Sequence, residues 1–127
     1  MSRYVLDASA VLALLQREPG HRRVTKLLAE AAISAVNLCE VAAKLSEKGL
    51  LAESLRPDLL ALGLQVVPFG EALAFRAAEI RSSTRRLGLS LGDCACLATA
   101  DAAEAIAVTA DTSWERVKVG PRIQLIR

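Results

Sequence analysis

Residues 87–100, LGLSLGDCACLATA, contain the start of a helix around which the rest of the chain is organised. Gly88 is suited to end a preceding helix, Ser90 can cap the next one, and Asp93 follows Ser90 by three residues, as in a capping box. The helix is apolar on almost every face, which is typical of a helix buried in a core. No basic residue lies three or four positions from Asp93, so a buried carboxylate there needs a partner from elsewhere.

Length and composition restrict the class of protein. A chain of 127 residues has the size of one domain, and we expect a single domain over residues 1–127. With 53% hydrophobic and 24% charged residues, the chain can bury a core and is not a disordered tail. A net charge of +2 and 3% aromatic residues do not indicate a strongly basic nucleic-acid binder or base stacking on several rings.

Cysteine usage and the first residues predict the compartment. The chain has three cysteines, an odd number, and two of them lie in the apolar helix, so we expect reduced thiols. No apolar run approaches the length of a membrane span, and Asp7 falls where a signal peptide needs its apolar region. We therefore expect a cytoplasmic protein without a membrane partner.

The order of apolar runs predicts an α/β fold. Strands are predicted at 3–7, 32–34, 65–67, 106–109 and 122–126. Helices are predicted at 8–16, 21–31, 36–48, 51–62 and 71–87, then in the segment that carries Asp93, with Pro57 as a kink or a boundary. Because strands alternate with helices, we expect a three-layer α/β/α sandwich around a mainly parallel sheet of about four to five strands.

Four acids stand where an open parallel sheet binds its ligands. Asp7 follows the first predicted strand and Asp111 follows the fourth, while Asp93 opens a helix and Glu40 lies in the helix after the second strand. Carboxylates gathered at this edge would repel one another, and a divalent cation would stabilise them. Oxygen ligands suit Mg²⁺ or Mn²⁺, whereas a zinc site is disfavoured because His21 is the one histidine in the sequence.

Each acid also has an ordinary structural explanation. Asp7 and Asp111 can be N-caps, and Asp93 can belong to a capping box with Ser90. Glu40 can lie on a solvated helix face with Asn37, Lys44 and Glu47, paired to Lys44. The hypothesis of a shared metal site therefore depends on the four acids as a set.

Four segments carry a resemblance to a known family. They are residues 5–10 (VLDASA), 37–41 (NLCEV), 88–93 (GLSLGD) and 108–111 (VTAD). In this order they resemble the PIN-domain family and, more narrowly, the VapC-type toxins of VapBC toxin–antitoxin pairs. The resemblance spans nearly the whole chain and departs at residues 101–105, DAAEA, where relatives usually have a more apolar turn.

The resemblance implies the Mg²⁺-dependent endoribonuclease of a type II toxin–antitoxin system, held by a small VapB-like antitoxin. Phosphodiester hydrolysis needs an activated water and relief of charge on the leaving oxygen, and one or two Mg²⁺ ions (Mn²⁺ is an alternative) can supply both without a histidine. Glu40 would orient or deprotonate the water. The implied site comprises the catalytic acids Asp7, Glu40, Asp93 and Asp111, of which Asp7, Asp93 and Asp111 are metal ligands, and the supporting hydroxyls of Ser9 and Thr109.

Basic residues and apolar helices are candidates for binding partners. Arg81, Arg85 and Arg86 lie together near the end of the long helix and can contact RNA phosphates, although a solvated helix face is the simpler explanation of any one of them. A second basic cluster lies at residues 22–26. Many PIN toxins are homodimers, and the apolar helical segments at 11–15 and 36–45 can supply such a face or equally lie in the interior.

Two other functions remain open at this point. A receiver-type phosphoacceptor domain is also a parallel α/β domain with an acidic Mg²⁺ pocket. Such a domain requires paired acids after the first strand and a lysine after one of the last strands. Here Ala8 follows Asp7, and Lys118 lies beyond a short helical turn. The other alternative is a catalytically silent PIN fold that only binds RNA or protein.

Overall fold

A computed structural model describes residues 2–127, apart from the side chain of Ala52. Met1, which the predicted single domain includes, lies outside the described residues. Five strands form one entirely parallel sheet in the order β3-β2-β1-β4-β5. The strands are β1 (Tyr4–Leu6), β2 (Ala31–Ser34), β3 (Gln65–Val67), β4 (Ile106–Thr109) and β5 (Ile123–Leu125).

Six α-helices and three short 3₁₀ turns connect the strands within residues 2–127. The helices are α1 (Ala8–Gln16), α2 (His21–Leu27), α3 (Ala35–Ser46), α4 (Ala52–Ala61), α5 (Glu71–Ser83) and α6 (Leu91–Ala102). The 3₁₀ turns are Leu28–Glu30, Arg85–Leu87 and Thr112–Arg116. The α/β prediction with a parallel sheet of four to five strands is therefore confirmed.

The sheet separates two apolar cores, because neighbouring residues of a strand point to opposite faces. Val5 of β1 belongs to the core beneath α5 and α6, which also contains the fully buried Trp114. Leu6 belongs to the core beneath α1, α2 and α3, together with Val41. Helices thus cover both faces of the sheet, as the predicted three-layer sandwich requires.

Helix α6 lies against the centre of the structure, as its composition predicts. Residues 94–100 are all buried, and most of them are small, so the helix can pack closely against α5 and the sheet. Gly88, at φ 69°, ends the preceding turn, and Ser90 forms the predicted capping box with Asp93. The decisive stretch therefore folds as expected.

Two predicted helices end four residues earlier than expected, for different physical reasons. The helix predicted at 21–31 ends at Leu27, and Ala31 instead pairs with Tyr4 in the sheet, because sheet pairing outweighs the preference of alanine for a helix. The helix predicted at 71–87 ends at Ser83. There the hydroxyl of Thr84 donates to the Ile80 carbonyl at 2.7 Å, and a 3₁₀ turn follows.

Helix α4 continues through Pro57, so this proline does not mark a helix boundary. The missing N–H leaves one carbonyl of the preceding turn without its usual partner. Pro57 is exposed, and water can satisfy that carbonyl. In the described part of the chain, no helix combines the length and the apolarity that crossing a bilayer requires.

The topology identifies where a ligand would bind. The chain winds outward from β1 in one direction and then, from β4, in the other, so the order of strands reverses between β1 and β4. Ligands of open α/β sheets bind at such a switch point, outside the carboxyl ends of the strands. Receiver domains have the different order 2-1-3-4-5. The receiver alternative is therefore wrong.

Candidate active site

Asp7 lies at the switch point, directly after β1, and is almost completely buried, with 4% of its surface exposed. It caps α1 by accepting a hydrogen bond from the Ala10 N–H at 2.9 Å. Burial raises the pKa of Asp7 from 3.8 to about 6, although hydrogen bonds from Thr109 and Ser9 oppose this rise. Among residues 2–127 no Lys or Arg forms an ion pair with Asp7, so its charge lacks a local counter-ion.

Two hydroxyls connect Asp7 to the end of β4. Ser9 Oγ donates to Asp7 Oδ1 at 2.7 Å, and Thr109 Oγ1 donates to Asp7 Oδ2 at 2.6 Å. The hydroxyl oxygens of Ser9 and Thr109 in turn accept hydrogen bonds from the backbone N–H groups of Ala110 and Asp111, at 2.9 and 3.0 Å respectively. Because each hydroxyl bonds to the carboxylate on one side and the backbone on the other, this network fixes the orientation of Asp7.

Asp93 lies at the N-terminus of α6, where its negative charge contributes to raising the pKa of Asp7. Its Oδ2 accepts the Ser90 N–H at 2.9 Å, while no described residue donates to Oδ1. The expectation that Asp93 is buried is wrong, because the side chain is only partly covered. A side chain in the first helical turn points back towards the N-terminus of the helix, and the N-terminal cap of α6, Ser90, is exposed. The buried carboxylate of the site is that of Asp7.

Asn37 holds Glu40 and α6 together. Its Nδ2 donates to Glu40 Oε1 at 2.7 Å and to the Gly92 carbonyl at 3.0 Å. The predicted solvated face is confirmed for Glu40, which is exposed, but wrong for Asn37, of which only 1% is exposed. The predicted pairing of Glu40 with Lys44 is also wrong, because the described residues include no ion pair between them. We therefore add Asn37 to the candidate site. The available signal was its position one helical turn before Glu40.

Gly92 lets α6 approach the Glu40 carboxylate closely. A Cβ atom at this position would lie 2.6 Å from both Glu40 Cδ and Oε1, well inside van der Waals contact. Any larger residue would therefore displace the carboxylate. The glycine in the sequence GLSLGD thus places Glu40 beside the N-terminus of α6.

Cys96 of α6 lies against β1, within the electrostatic reach of three of the acids. Its thiol is fully buried and lies 3.9 Å from the Val5 carbonyl. Burial raises the pKa of this thiol well above its ordinary value, and the charges of Asp7, Asp93 and Glu40 raise it further. Three acids from distant parts of the chain therefore act on one buried atom beneath the sheet edge.

Asp111 adjoins this group in the chain, and its carboxylate caps the turn that follows. Its N–H is bound to Thr109, whereas its Oδ1 accepts from the N–H and hydroxyl of Ser113 at 2.9 and 2.7 Å. The exposed carboxylate caps the 3₁₀ turn Thr112–Arg116, and none of the described residues donates to Oδ2. Asp111 thus adjoins the site through its backbone and keeps one free oxygen.

The donor set fits a hydrated divalent ion better than a closed metal cage. Within residues 2–127, no three side chains of His, Cys, Asp or Glu lie close enough together to hold a metal alone. Mg²⁺ usually keeps several waters and binds through one or two carboxylates. A buried carboxylate without a cationic partner, beside a partly free Asp93, meets that requirement with oxygen ligands only.

Comparison with known proteins agrees with this architecture. The PIN domain family model matches residues 4–120. A sequence search among curated proteins finds no match.

Several solved structures share the fold. One is a chain of the DNA-bound VapBC complex from Salmonella typhimurium, with 21% identity, full coverage of both chains and a TM-score of 0.77. A toxin–antitoxin complex from Klebsiella pneumoniae matches with 18% identity over 98% of each chain and a TM-score of 0.74. FitAcB from Neisseria gonorrhoeae matches with 26% identity over 94% of this chain and 96% of that one, with a TM-score of 0.69. Together with the family model, these similarities show that the chain belongs to the PIN-domain family.

Proposed function

We propose that this protein is the nuclease toxin of a toxin–antitoxin pair and hydrolyses RNA phosphodiester bonds with the help of a divalent metal ion. The observation that supports this most is the position of Asp7, which is buried at the switch point of a PIN-domain sheet and forms no ion pair with any described residue. The hydrogen bonds of Asn37 hold Glu40 against the start of α6, the helix that carries Asp93. The fold similarity to chains of toxin–antitoxin complexes supports the biological role.

In this proposal Asp7 and Asp93 bind the metal, and Asp111 assists through its free oxygen. A bound Mg²⁺ or Mn²⁺ polarises the phosphate, lowers the pKa of water and stabilises charge on the leaving oxygen. Ser9 and Thr109 hold Asp7 in one orientation, in which Oδ1 accepts two hydrogen bonds and Oδ2 only one from the described residues, so Oδ2 keeps a lone pair for the metal. Burial raises the pKa of Asp7, and a cation bound close to this carboxylate would lower the pKa again and favour its ionised form.

Glu40 is the residue proposed to take the proton from the attacking water. Its Oε1 is bound to Asn37, and no described residue donates to Oε2, which therefore remains available as an acceptor. Asn37 is a positioning residue, because it connects the Glu40 carboxylate to the backbone of α6. The base thus keeps a fixed place relative to Asp93, which immediately precedes the buried residues 94–100.

The proposed partners follow from the same assignment. A small VapB-like antitoxin would neutralise the enzyme, and a basic residue of its tail could compete with the cation for the acids. A homodimer is also part of this proposal. The apolar residues around Val11 in α1 and Val41 in α3, suggested by the sequence as its interface, are buried within this chain and do not form that interface. An enzyme acting on cellular RNA would work in the cytoplasm.

The direct test is Mg²⁺-dependent cleavage of total RNA by purified protein with mapping of the product ends. Asp7→Asn and Asp93→Asn should each abolish cleavage without unfolding the protein, whereas Asp58→Asn, which alters an exposed acid of α4, should not. Equal cleavage by all four proteins would refute the assignment. RNA binding without cleavage by the parent would instead favour the catalytically silent PIN fold.

A further inference from the structure

A cavity of about 460 Å³ is lined by basic residues from two segments that adjoin the candidate site in the chain. Arg85 and Arg86 come from the 3₁₀ turn before α6, while Arg116 and Lys118 come from the segment after Asp111. The sequence predicted the two arginines of the first segment as phosphate contacts. Arg81, predicted with them, does not line this cavity.

The four cations at this cavity have no anionic partner among the described residues. Within residues 2–127 none of their side chains forms an ion pair or a hydrogen bond, and the other lining residues are neutral. All four side chains are exposed. Like charges around one concave surface repel one another and raise the local concentration of anions, so the cavity attracts a polyanion.

The cavity and the acids are attached to the same two segments. The turn Arg85–Leu87 leads within six residues to Asp93, and the turn Thr112–Arg116 begins immediately after Asp111. A 3₁₀ helix rises about 2 Å per residue, so the Arg116 backbone lies roughly 10 Å along the chain from Asp111. A ligand in the cavity is therefore within a few nucleotides of the acids.

We propose that this cavity, the basic pocket, binds phosphates of the RNA strand on one side of the bond to be cut. The inference rests on the proposed function. Guanidinium groups bind phosphate oxygens in a bidentate manner, and the lining serines Ser82 and Ser83 can donate further hydrogen bonds. No aromatic residue lines the pocket, so binding depends on the backbone and not on base stacking.

The test is binding of a short fluorescent single-stranded RNA to the full chain in EDTA, where metal-dependent cleavage cannot occur. Two paired variants, Arg85→Ala/Arg86→Ala and Arg116→Ala/Lys118→Ala, each remove two charges from the basic pocket. A third, Lys48→Ala/Arg56→Ala, removes two exposed charges from the segment that contains the end of α3 and α4, and serves as the matched control. Melting curves of all three variants verify folding.

Each pocket variant should bind RNA at least tenfold more weakly than the control. The slope of the logarithm of the association constant against the logarithm of salt concentration should become shallower by about 1.4 for each pair of substitutions, since each phosphate contact to a single strand contributes about 0.7. Affinity and slope equal to the control would overturn the pocket. So would equally strong competition by polyglutamate, which would indicate an acidic protein partner.

The same series distinguishes this proposal from the assignment of activity. If the parent cleaves RNA with Mg²⁺ but the pocket variants bind like the control, the basic pocket is wrong and the nuclease stands. If the pocket variants lose RNA binding but the parent never cleaves RNA, the pocket stands and the nuclease is wrong.

Discussion

Replacement of Gly92 by alanine should remove activity while leaving the fold intact. The added Cβ would lie 2.6 Å from Glu40 Cδ, whereas ordinary contacts begin at 3.4 Å, so the carboxylate must retreat by about 1 Å. Misplacement of a catalytic group by about 1 Å can lower the rate about a hundredfold. We therefore expect the cleavage rate of Gly92→Ala to fall by about two orders of magnitude.

Stability should not fall with the rate. Glu40 is exposed, and only the end of its side chain must shift, so its displacement costs little, while alanine in a helix stabilises by about 0.5–1 kcal/mol relative to glycine. The melting temperature of Gly92→Ala should equal or exceed that of the parent. Gly70→Ala is the control, because a Cβ there meets nothing within 4 Å.

The assay is Mg²⁺-dependent cleavage of a defined RNA by the parent, Gly92→Ala, Glu40→Ala and the double variant. If the glycine acts through Glu40, then Gly92→Ala should cause no further loss when Glu40 is already alanine. A folded Gly92→Ala protein with the parental rate would refute the reasoning. A hundredfold loss that persists in the Glu40→Ala background would show that the glycine acts through another group.

Two further predictions concern the residues that support the acids. Asn37→Leu should lower the cleavage rate through loss of Glu40 positioning and reduce stability by about 1–3 kcal/mol, because the Gly92 carbonyl loses its donor; thermal melting and rates measure both effects. Without metal, the parent should lose about 3 kcal/mol of stability as pH rises from about 3 to about 7, because folding raises the pKa of Asp7 from 3.8 to about 6 and each unit corresponds to about 1.4 kcal/mol. The unfolded chain releases this proton first, so the penalty is small well below pH 3.8 and complete well above pH 6; urea titrations at each pH should show the loss in the parent and not in Asp7→Asn.

Local sequence signals predicted most of the fold. The capping box at Ser90 and the uniform apolarity of α6 are local properties, and the structure retains both. The alternation of strands and helices predicted the parallel sheet. Helix ends were less predictable where tertiary pairing decides them, as at Ala31, which belongs to β2 because it pairs with Tyr4.

The candidate site was predictable in part, because its acids follow strands or begin helices. What the sequence could not reveal depends on packing between distant segments. Asn37 is polar and would be placed on a solvated face, yet α3 packs against the start of α6 and buries it. The meeting of Arg116 and Lys118 with Arg85 and Arg86 likewise requires the tertiary fold.

The central claim is that Asp7 and Asp93 share one divalent ion, and Mn²⁺ in crystals of the protein tests it most directly. The account predicts an anomalous scattering peak at the switch point between β1 and β4, within about 2.2 Å of oxygens from both carboxylates, and its loss in Asp7→Asn. A peak bound by other residues, or no peak at saturating Mn²⁺ in a protein that cleaves RNA, would contradict the account.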